Sequence, residues 1–144
     1  MKSEKKTPRG IRNNNPLNIR VGNDWQGEVE HQTDGQFEQF KTMSMGVRAG
    51  FIILRKYINT YHLDTIDSII KRWAPSNEND TEAYINSVCK YSGLDRFEVL
   101  RFEDSEKMFK LFRAMARVEN GEVFSLVYTQ IGYFLAKVKH PTKK

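Results

Sequence analysis

The sequence predicts a mainly helical α+β domain with a small β-hairpin lobe near its N-terminus. Three observations support this fold class: a length typical of one domain, helical spacing of apolar residues from position 44 onward, and a weakly alternating segment around one tight turn. The chain has 144 residues, 39% hydrophobic and 28% charged, which is sufficient to build a core. We expect one domain over residues 9–140, between a flexible basic arm (residues 1–8) and a basic tail (residues 141–144).

The first part of the chain predicts a loop followed by a β-hairpin. Asn13–Asn15 and Pro16 are turn-forming residues, and asparagine side chains bond nearby backbone groups and tolerate left-handed conformations. An ordered loop held by side chains is therefore expected. From Trp25 to Phe40, apolar residues alternate weakly around Thr33–Gly35, a sequence typical of hairpin turns. We predict two short strands there.

The rest of the chain predicts five helices, because capping residues precede apolar residues at helical spacing. The predicted starts are Ser44, Thr65, Asp80, Asp104 or Ser105, and about Val123, and the predicted stops are Pro75, Gly93, Gly121 and about Val138. The predicted inward-facing residues are Val47, Phe51, Leu54 and Ile58; Ile66, Ile69, Ile70 and Trp73; Ala83, Tyr84, Val88 and Tyr91; and Met108, Phe109, Leu111, Phe112, Met115 and Val118.

Composition excludes several classes of protein. The single cysteine, Cys89, cannot form an internal disulfide, and no Cys/His cluster has zinc-ligand spacing. No apolar run approaches the roughly 20 residues of a membrane span, so we expect no membrane insertion. The N-terminal segment is basic without an apolar stretch behind it, so we also expect no signal peptide. The 23 Lys and Arg exceed the 18 Asp and Glu, but the excess lies largely at the two ends and does not select a partner.

Three polar clusters interrupt the helical pattern. In the first, residues 13–20 and 25–27 combine amides with an indole, which suits a ligand rich in hydroxyl and acetamido groups; alternatively, the asparagines only tie down a loop. In the second, residues 73–81, capping does not explain a tryptophan near Glu78, which favours a cleft wall.

The third cluster contains Glu119, at the predicted C-terminal end of an apolar helix. The negative end of the helix dipole and an apolar neighbouring face would both favour the protonated form of its carboxyl group. A protonated glutamic acid in a cleft is what general-acid cleavage of a glycosidic bond requires. The alternative is an ordinary solvated glutamate at a helix end.

The combined motifs resemble a family of small phage and prophage proteins, usually described as virion "structural protein" and thought to be lysozyme-like peptidoglycan hydrolases. The matching segments are residues 9–16 (RGIRNNNP), 25–27 (WQG), 72–75 (RWAP) and 78–81 (ENDT). The resemblance spans about Arg9 to Gly121. It departs from the pattern at Leu17, where glycine is expected, and at Ser76, where a second proline is expected.

A second resemblance is to bacterial cell-wall glucosaminidases and lytic transglycosylases. Their Asn-Asn loop, Trp-x-Gly, hairpin and Phe-x-x-Tyr-like close look like residues 14–15, 25–27, 28–36 and 37–40, in order. The catalytic helix that precedes these parts is missing upstream, but residues 114–121 look like it. Residues 78–85 are similar to the Glu-Thr-x-x-Tyr helix of lytic transglycosylases. The resemblance implies a lysozyme-like domain that is circularly permuted.

What this resemblance implies is a peptidoglycan-cleaving glycosidase: a muramidase, a glucosaminidase or a lytic transglycosylase. Glu119 would protonate the leaving oxygen, and Glu28 or Glu30 in the hairpin would supply a second carboxylate for hydrolysis. Without a second carboxylate, the acetamido group or 6-hydroxyl of the substrate would attack instead. Residues implied in substrate binding are Asn15, Asn18, Trp25, Trp73, Glu78 and Tyr84, although Tyr84 could equally be a core residue. No metal or organic cofactor is needed.

Two other function classes remain open at this point. The first is a non-catalytic virion structural or cell-wall-binding protein of phage origin, since a fold does not entail its activity. The second is a nucleic-acid binder, which the scattered basic residues do not favour. Our expectation is a monomer that binds peptidoglycan glycan strands and no specific nucleic acid. It would be made in the cytoplasm and reach the periplasm or cell wall through a phage holin or in a virion.

Overall fold

Helices account for most of the computed structural model, which describes residues 6–77 and 79–138. The mainly helical class is therefore confirmed. The elements are α1 (Arg9–Arg12), α2 (Met43–Arg55), a π-helical turn (Lys56–Thr60), α3 (Ile66–Trp73), α4 (Thr81–Ser92), α5 (Ser105–Asn120) and α6 (Leu126–Lys137). Within these described residues, no helix has the length and apolar character that crossing a bilayer demands.

The polar residues that begin the helices were largely predictable. The side chains of Thr65, Asp80 and Asp104 each accept a hydrogen bond from the backbone N–H three residues later, as N-caps do. Two starts differ from the expectation. Thr42 rather than Ser44 caps α2, and α6 begins at Leu126 after the Ser125 cap instead of at about Val123.

The core forms around Phe51, at the middle of α2. Its ring stacks on Phe112 of α5 with centroids 4.5 Å apart, and meets the ring of Tyr133 of α6 edge-on at 5.2 Å. Helix α2 packs mainly on α6, where Gly132 lets the backbone approach Val47. The apolar residues that the spacing predicts to face inward on α2, α3 and α5 are buried or half-buried in the structure.

Helix α4 presents a different face to the core than the sequence indicated. The residues that face inward are Thr81, Ile85, Val88 and Ser92. Ala83 and Tyr91 are exposed, while Tyr84 is half-buried beside the core. Of the predicted stripe, Val88 is confirmed, whereas Ala83, Tyr84 and Tyr91 lie off the buried face, whose members at 81, 85, 88 and 92 follow helical spacing. The Tyr84 side chain is directed toward a polar partner instead.

The two-stranded element predicted between residues 25 and 40 is present only as an isolated antiparallel pairing of residues 27–29 with 39–41, and the described residues show no continuous strands over 28–36. Phe37 pairs with Arg20, and Phe40 pairs with Glu28, each as an isolated antiparallel bridge. Segment 36–41 exchanges backbone hydrogen bonds with both 19–21 and 27–29. The N-terminal lobe is thus made of three short extended segments that carry no continuous strand in the described part of the chain.

Side chains replace the missing cross-strand bonds at the predicted turn. The Asp34 carboxylate accepts hydrogen bonds from the backbone N–H of Gln36 and Phe37, and from the side chains of Asn13 and Arg9. The Arg9 guanidinium holds the pKa of Asp34 well below its usual range. The turn is therefore held to α1 rather than extended into a hairpin.

Asn15 fixes the preceding loop from the inside. Its side chain is fully buried; the amide nitrogen donates to the carbonyls of Ile19 and Glu38, and the amide oxygen accepts from the Ile19 N–H. Asn14 and Asn18 both take positive φ angles of 53°. The predicted ordered loop is confirmed, with one helical turn, α1, at its beginning.

Glu38 is a buried carboxyl group in this lobe, with only 2% of its surface exposed. Burial, with a contribution from the Glu28 carboxylate, raises the pKa of Glu38 from 4.5 to about 7. The folded protein therefore holds this proton more tightly than the unfolded chain. Its contribution to stability is complete below about pH 4.5 and is lost as the pH rises through about 7.

Replacing Glu38 with glutamine is expected to flatten this part of the pH dependence. Between about pH 4.5 and pH 7, the free energy of unfolding of the wild type should fall by about 1–3 kcal/mol more than that of the variant. Urea denaturation of both proteins at closely spaced pH values measures the difference. Parallel curves over the whole interval would contradict the burial argument.

Candidate functional site

Glu119 lies in the last turn of α5, where the C-terminal third of the chain meets the asparagine-rich loop. Helix α5 ends at Gly121, which takes the left-handed conformation at φ 73°. The neighbouring Asn120 donates from its side-chain amide to the Pro16 carbonyl at 2.8 Å. This contact ties the end of α5 to the loop, so that Glu119 faces residues from the beginning of the chain.

Three side chains from three different segments hold the Glu119 carboxyl group. The Asn18 amide donates to Oε1 at 2.9 Å. The Tyr84 hydroxyl donates to Oε2 at 2.8 Å, and the Trp73 indole N–H donates to the same atom at 3.3 Å. Both oxygens are therefore oriented by the loop, by α3 and by α4 together.

The Tyr84 contact can persist in either protonation state of Glu119. Burial, together with the nearby Glu119 carboxylate, raises the pKa of Tyr84 well above its usual value, so the phenol stays protonated. A phenol donates one hydrogen bond and can also accept one. The Tyr84 hydroxyl can therefore donate to Glu119 when Glu119 is a carboxylate, and accept from it when it is a protonated carboxyl group. The contact is thus compatible with proton transfer at Glu119.

Glu119 opens onto a cleft of about 400 Å³. The aromatic rings of Phe37, Tyr57 and Trp73 line it, and the Tyr57 and Trp73 rings meet edge-on with centroids 6.4 Å apart. The remaining lining residues are Leu17, Asn18, Ile19, Arg20, Ile53, Ala74, Pro75 and Asn79. Rings beside amides and one carboxyl group suit a ligand with both apolar and hydroxyl-bearing faces.

Of the residues that the sequence predicted for the site, four come together: Asn18, Trp73, Tyr84 and Glu119. Asn18, Trp73 and Glu119 line the cleft, and Tyr84 supports Glu119 from behind. Their positions are separated by up to 101 residues along the chain. The C-terminal end of α5 and the N-terminal loop are therefore neighbours in space.

Asn15 and Trp25 do not reach the cleft. The Asn15 side chain is buried and bonded to backbone groups, so we replace its expected ligand-binding role with a structural one. Trp25, which the resemblance implies in substrate binding, is only 6% exposed and packs in the core instead. Both residues stabilise the loop on which Asn18 is carried.

The expected second carboxylate is not among the described residues that line the cleft, where Glu119 is the sole acidic side chain. Glu28 accepts a hydrogen bond from the Trp25 backbone N–H, which assigns it to the lobe. Glu30 is exposed and also lies off the cleft lining. Glu78, expected in substrate binding, falls outside the described residues.

Of the aromatic and polar lining residues, Tyr57 lies outside every segment that the sequence analysis named, whereas Arg20 and Asn79 fall in the first and second polar clusters and Phe37 in the matched segment 37–40. The Arg20 guanidinium lies over the Phe37 ring, 5.1 Å from its centroid. Pairing of a cationic residue with an aromatic one is the feature of the sequence that could have indicated these two lining residues. Tyr57 belongs to the π-helical turn and lines the cleft. Such turns are frequent at functional sites, but apolar spacing predicts only a regular helix there.

Metal ligation has no candidate among residues 6–77 and 79–138, because no three His, Cys, Asp or Glu side chains are suitably grouped.

Comparison with known proteins connects the chain to a bacteriophage. No family model matches it. The chain is 49% identical over 117 residues to "Protein P5" of Pseudoalteromonas phage PM2, an alignment that covers 78% of this chain and 71% of the phage protein. Identity of this extent over most of both chains implies common descent and a common fold. The chain belongs to the family of the phage PM2 protein P5.

Proposed function

We propose that this phage-family protein cleaves the glycan strands of peptidoglycan, with Glu119 as the proton donor. The observation that carries the proposal is the placement of one carboxyl group, oriented by Asn18, Trp73 and Tyr84, at the wall of a cleft with aromatic rings. Sugars stack their apolar faces on such rings, while their hydroxyl and acetamido groups bond to amides.

The proposed architecture is a circularly permuted lysozyme-like domain. In the glucosaminidases that the chain resembles, the helix bearing the catalytic glutamate precedes the Asn-Asn loop in sequence. Here the corresponding helix is α5, near the other end of the chain, yet its last residue, Asn120, bonds to Pro16 of the loop. The end of the helix and the loop are thus neighbours in space, although their order along the chain is the reverse of that in the glucosaminidases. This proximity supports the proposal.

The reaction that we propose is the lytic transglycosylase route, because no second carboxylate lines the cleft among the described residues. Glu119 gives its proton to the glycosidic oxygen as the bond from the sugar C1 breaks. The resulting carboxylate then takes the proton from the 6-hydroxyl of the same sugar, whose oxygen bonds to C1. The product is a 1,6-anhydro sugar, Glu119 is protonated again, and no water is consumed.

Arg20 supports a glycan with acidic groups as the substrate. Its guanidinium lies at the cleft, 5.1 Å from the centroid of the Phe37 ring. By contrast Arg9, on the same Phe37 ring at 4.5 Å, is bonded to Asp34. Arg20 therefore places a positive charge at the cleft, where the lactyl carboxylate of N-acetylmuramic acid can bind.

The charge of Arg20 is expected to favour peptidoglycan fragments over neutral chitin oligosaccharides. An Arg20→Gln variant should bind muramic-acid-containing fragments about threefold to tenfold more weakly, since an exposed ion pair contributes about 1 kcal/mol. Its affinity for chitin oligosaccharides should stay unchanged. Calorimetric titration of both ligands measures this, and an equal loss for the neutral ligand would refute the assignment.

A second candidate function is a non-catalytic role in the phage particle or in wall binding. The relationship to a protein of phage PM2 favours this role more directly than it favours catalysis. In that case the cleft would retain glycan without turnover. For either role, we propose that the protein reaches the cell wall with a phage particle or through a holin.

Incubation with purified peptidoglycan separates the two candidates. The enzyme predicts falling turbidity and soluble muropeptides, which by mass spectrometry are lighter than hydrolysis products by one water molecule. Hydrated muropeptides would retain the glycosidase but overturn the transglycosylase route. Sedimentation of the protein with the wall material, without any released muropeptide, would overturn catalysis in favour of the second candidate.

A further inference from the structure

Arg72 begins the matched segment 72–75 and has no part in the proposed reaction. The next three residues of the segment line the cleft, whereas Arg72 is exposed beside it. Its guanidinium lies 5.6 Å from the centroid of the Tyr57 ring, which is part of the cleft lining. Arg72 therefore borders the cleft where α3 meets the π-helical turn.

Two aromatic rings orient the Arg72 guanidinium. Besides its contact with Tyr57, it lies 4.4 Å from the centroid of the Tyr61 ring. The centroids of these two tyrosine rings are 6.3 Å apart. A guanidinium held by cation–π contacts loses less freedom when it binds a ligand than a mobile side chain does. Arg72 thus presents a pre-oriented positive charge at the border of the cleft.

A second cation lies on the same Tyr61 ring. The Lys56 ammonium is 5.8 Å from its centroid, and 39% of Tyr61 is exposed. We call Lys56, Tyr61 and Arg72 the outer basic patch. Two positive charges beside one ring repel each other, and an anionic group bound next to them would offset this repulsion.

The described acidic residues nearest to Arg72 along the chain have other roles. Asp67 is bonded to two basic side chains, Asp64 lines a separate cavity, and Asp80 caps α4. The titratable groups that act on the Tyr57 hydroxyl, between the patch and the cleft, both belong to the outer basic patch. The charge that the described residues place at this border is therefore positive, which suits an anionic group of the ligand.

We propose that Arg72, supported by Lys56, binds a carboxylate of the glycan strand, in addition to the one that Arg20 binds beside Phe37. This inference rests on the proposed function, because it states what the same cleft selects: glycans that carry more than one carboxylate. A planar guanidinium can hold both oxygens of a carboxylate. The Tyr57 ring lies on both the cleft and the patch, so a strand that leaves the cleft on this side passes Arg72.

The carboxylate has two possible sources in peptidoglycan. In glycan without stem peptides it is the lactyl carboxylate of N-acetylmuramic acid. Where a stem peptide is attached, the lactyl group is bound to it as an amide, and the carboxylates belong to the peptide. Neutral chitin supplies neither, although it has the same succession of sugar rings.

Calorimetric titration with three tetrasaccharides tests the proposal. They are a peptide-free tetrasaccharide with two N-acetylmuramic acids, the same tetrasaccharide with stem peptides, and chitotetraose. The full-length Glu119→Gln protein serves as the parent, so that the ligands are not cleaved. Adding Arg72→Gln should weaken the binding of an acidic tetrasaccharide by about threefold to tenfold and leave that of chitotetraose unchanged.

The two acidic ligands identify the source of the carboxylate. A loss with the peptide-free ligand assigns it to the lactyl group, and a loss confined to the peptide-bearing ligand assigns it to the stem peptide. The matched control, Lys110→Gln, removes one positive charge from an exposed position of α5 and should bind all three ligands as the parent does. Tyr61→Phe keeps the ring under the guanidinium and should also bind as the parent does, whereas Tyr61→Ala should weaken the acidic ligands.

A double variant tests whether two carboxylates are bound. Arg20→Gln combined with Arg72→Gln should weaken the acidic tetrasaccharide by the product of the two single factors, because separate contacts contribute independently. A double variant that binds as tightly as either single variant would overturn the proposal, since both arginines would then contact one carboxylate.

Circular dichroism and thermal unfolding establish that the variants are folded before they are compared. Unchanged binding of both acidic ligands by the Arg72 variant, or an equal loss for chitotetraose, would overturn the inference. The proposed function would still stand if the wild type releases muropeptides, and both would fall if the parent binds none of the three glycans. Loss of affinity for a single-stranded oligonucleotide, with glycan binding unchanged, would overturn the inference in favour of nucleic acid.

Discussion

Replacing Glu119 with glutamine is expected to reduce the release of muropeptides from peptidoglycan by about 10²-fold to 10⁴-fold. The reason is that the amide has no proton to give to the glycosidic oxygen, and general acid catalysis contributes about this factor. Glutamine keeps the size of the side chain, and its oxygen can still accept from Asn18. Binding of glycan fragments should therefore persist within a fewfold of the wild type.

The matched control is Glu122→Gln, three residues further along the chain and exposed to solvent. It makes the same change of charge close to the cleft and should cleave at the wild-type rate. Muropeptide release is followed by chromatography at equal concentrations of the three proteins. If Glu119→Gln cleaves as fast as Glu122→Gln, the assignment of Glu119 as the acid is wrong.

Replacing Gly46 with alanine is expected to destabilise the protein by about 3 kcal/mol or more. Gly46 lies in the first turns of α2, where a β-carbon would overlap the backbone carbonyl of Asn14. The added β-carbon would meet main-chain atoms of Asn14 and not a flexible side chain that could move away, so either α2 or the loop must shift. Overpacking of this type costs about 1–3 kcal/mol and occasionally more, and the conflict here is with main-chain atoms.

Thermal and urea unfolding measure this effect, with Gly35→Ala as the control. Gly35 has no atom within 4 Å of the added carbon, so its substitution should change stability by less than about 0.5 kcal/mol. Because the loop also carries Asn18, the Gly46 variant should lose glycan affinity under conditions where it remains folded. Equal stability of the two alanine variants would contradict the close approach of loop and helix.

The helices could be predicted because their signals are local. Thr65, Asp80 and Asp104 cap through backbone groups only three residues away. The lobe could not be predicted in the same way, since Asp34 is bonded to Arg9, 25 residues earlier. That competing tertiary contact holds the turn to α1 and displaces the short-range hairpin that Thr33–Gly35 suggests.

The candidate site was partly predictable for a different reason. Glu119 and Trp73 stand out because a polar residue or an indole interrupts a helical apolar pattern. Asn15 and Asn18 have the same residue type and nearly the same position, yet one is fully buried and the other bonds to Glu119. Only the left-handed conformation of Asn18 and its contact across 101 residues separate the two roles, and neither can be inferred from spacing.

The crystal structure of the Glu119→Gln variant with a bound peptidoglycan oligosaccharide would test the central claim most directly. The account predicts that sugar rings lie against Phe37, Tyr57 and Trp73, with one glycosidic oxygen within about 3 Å of the side chain at position 119. An oligosaccharide bound at another surface, or seated in the cleft with every glycosidic oxygen out of reach of position 119, would contradict it.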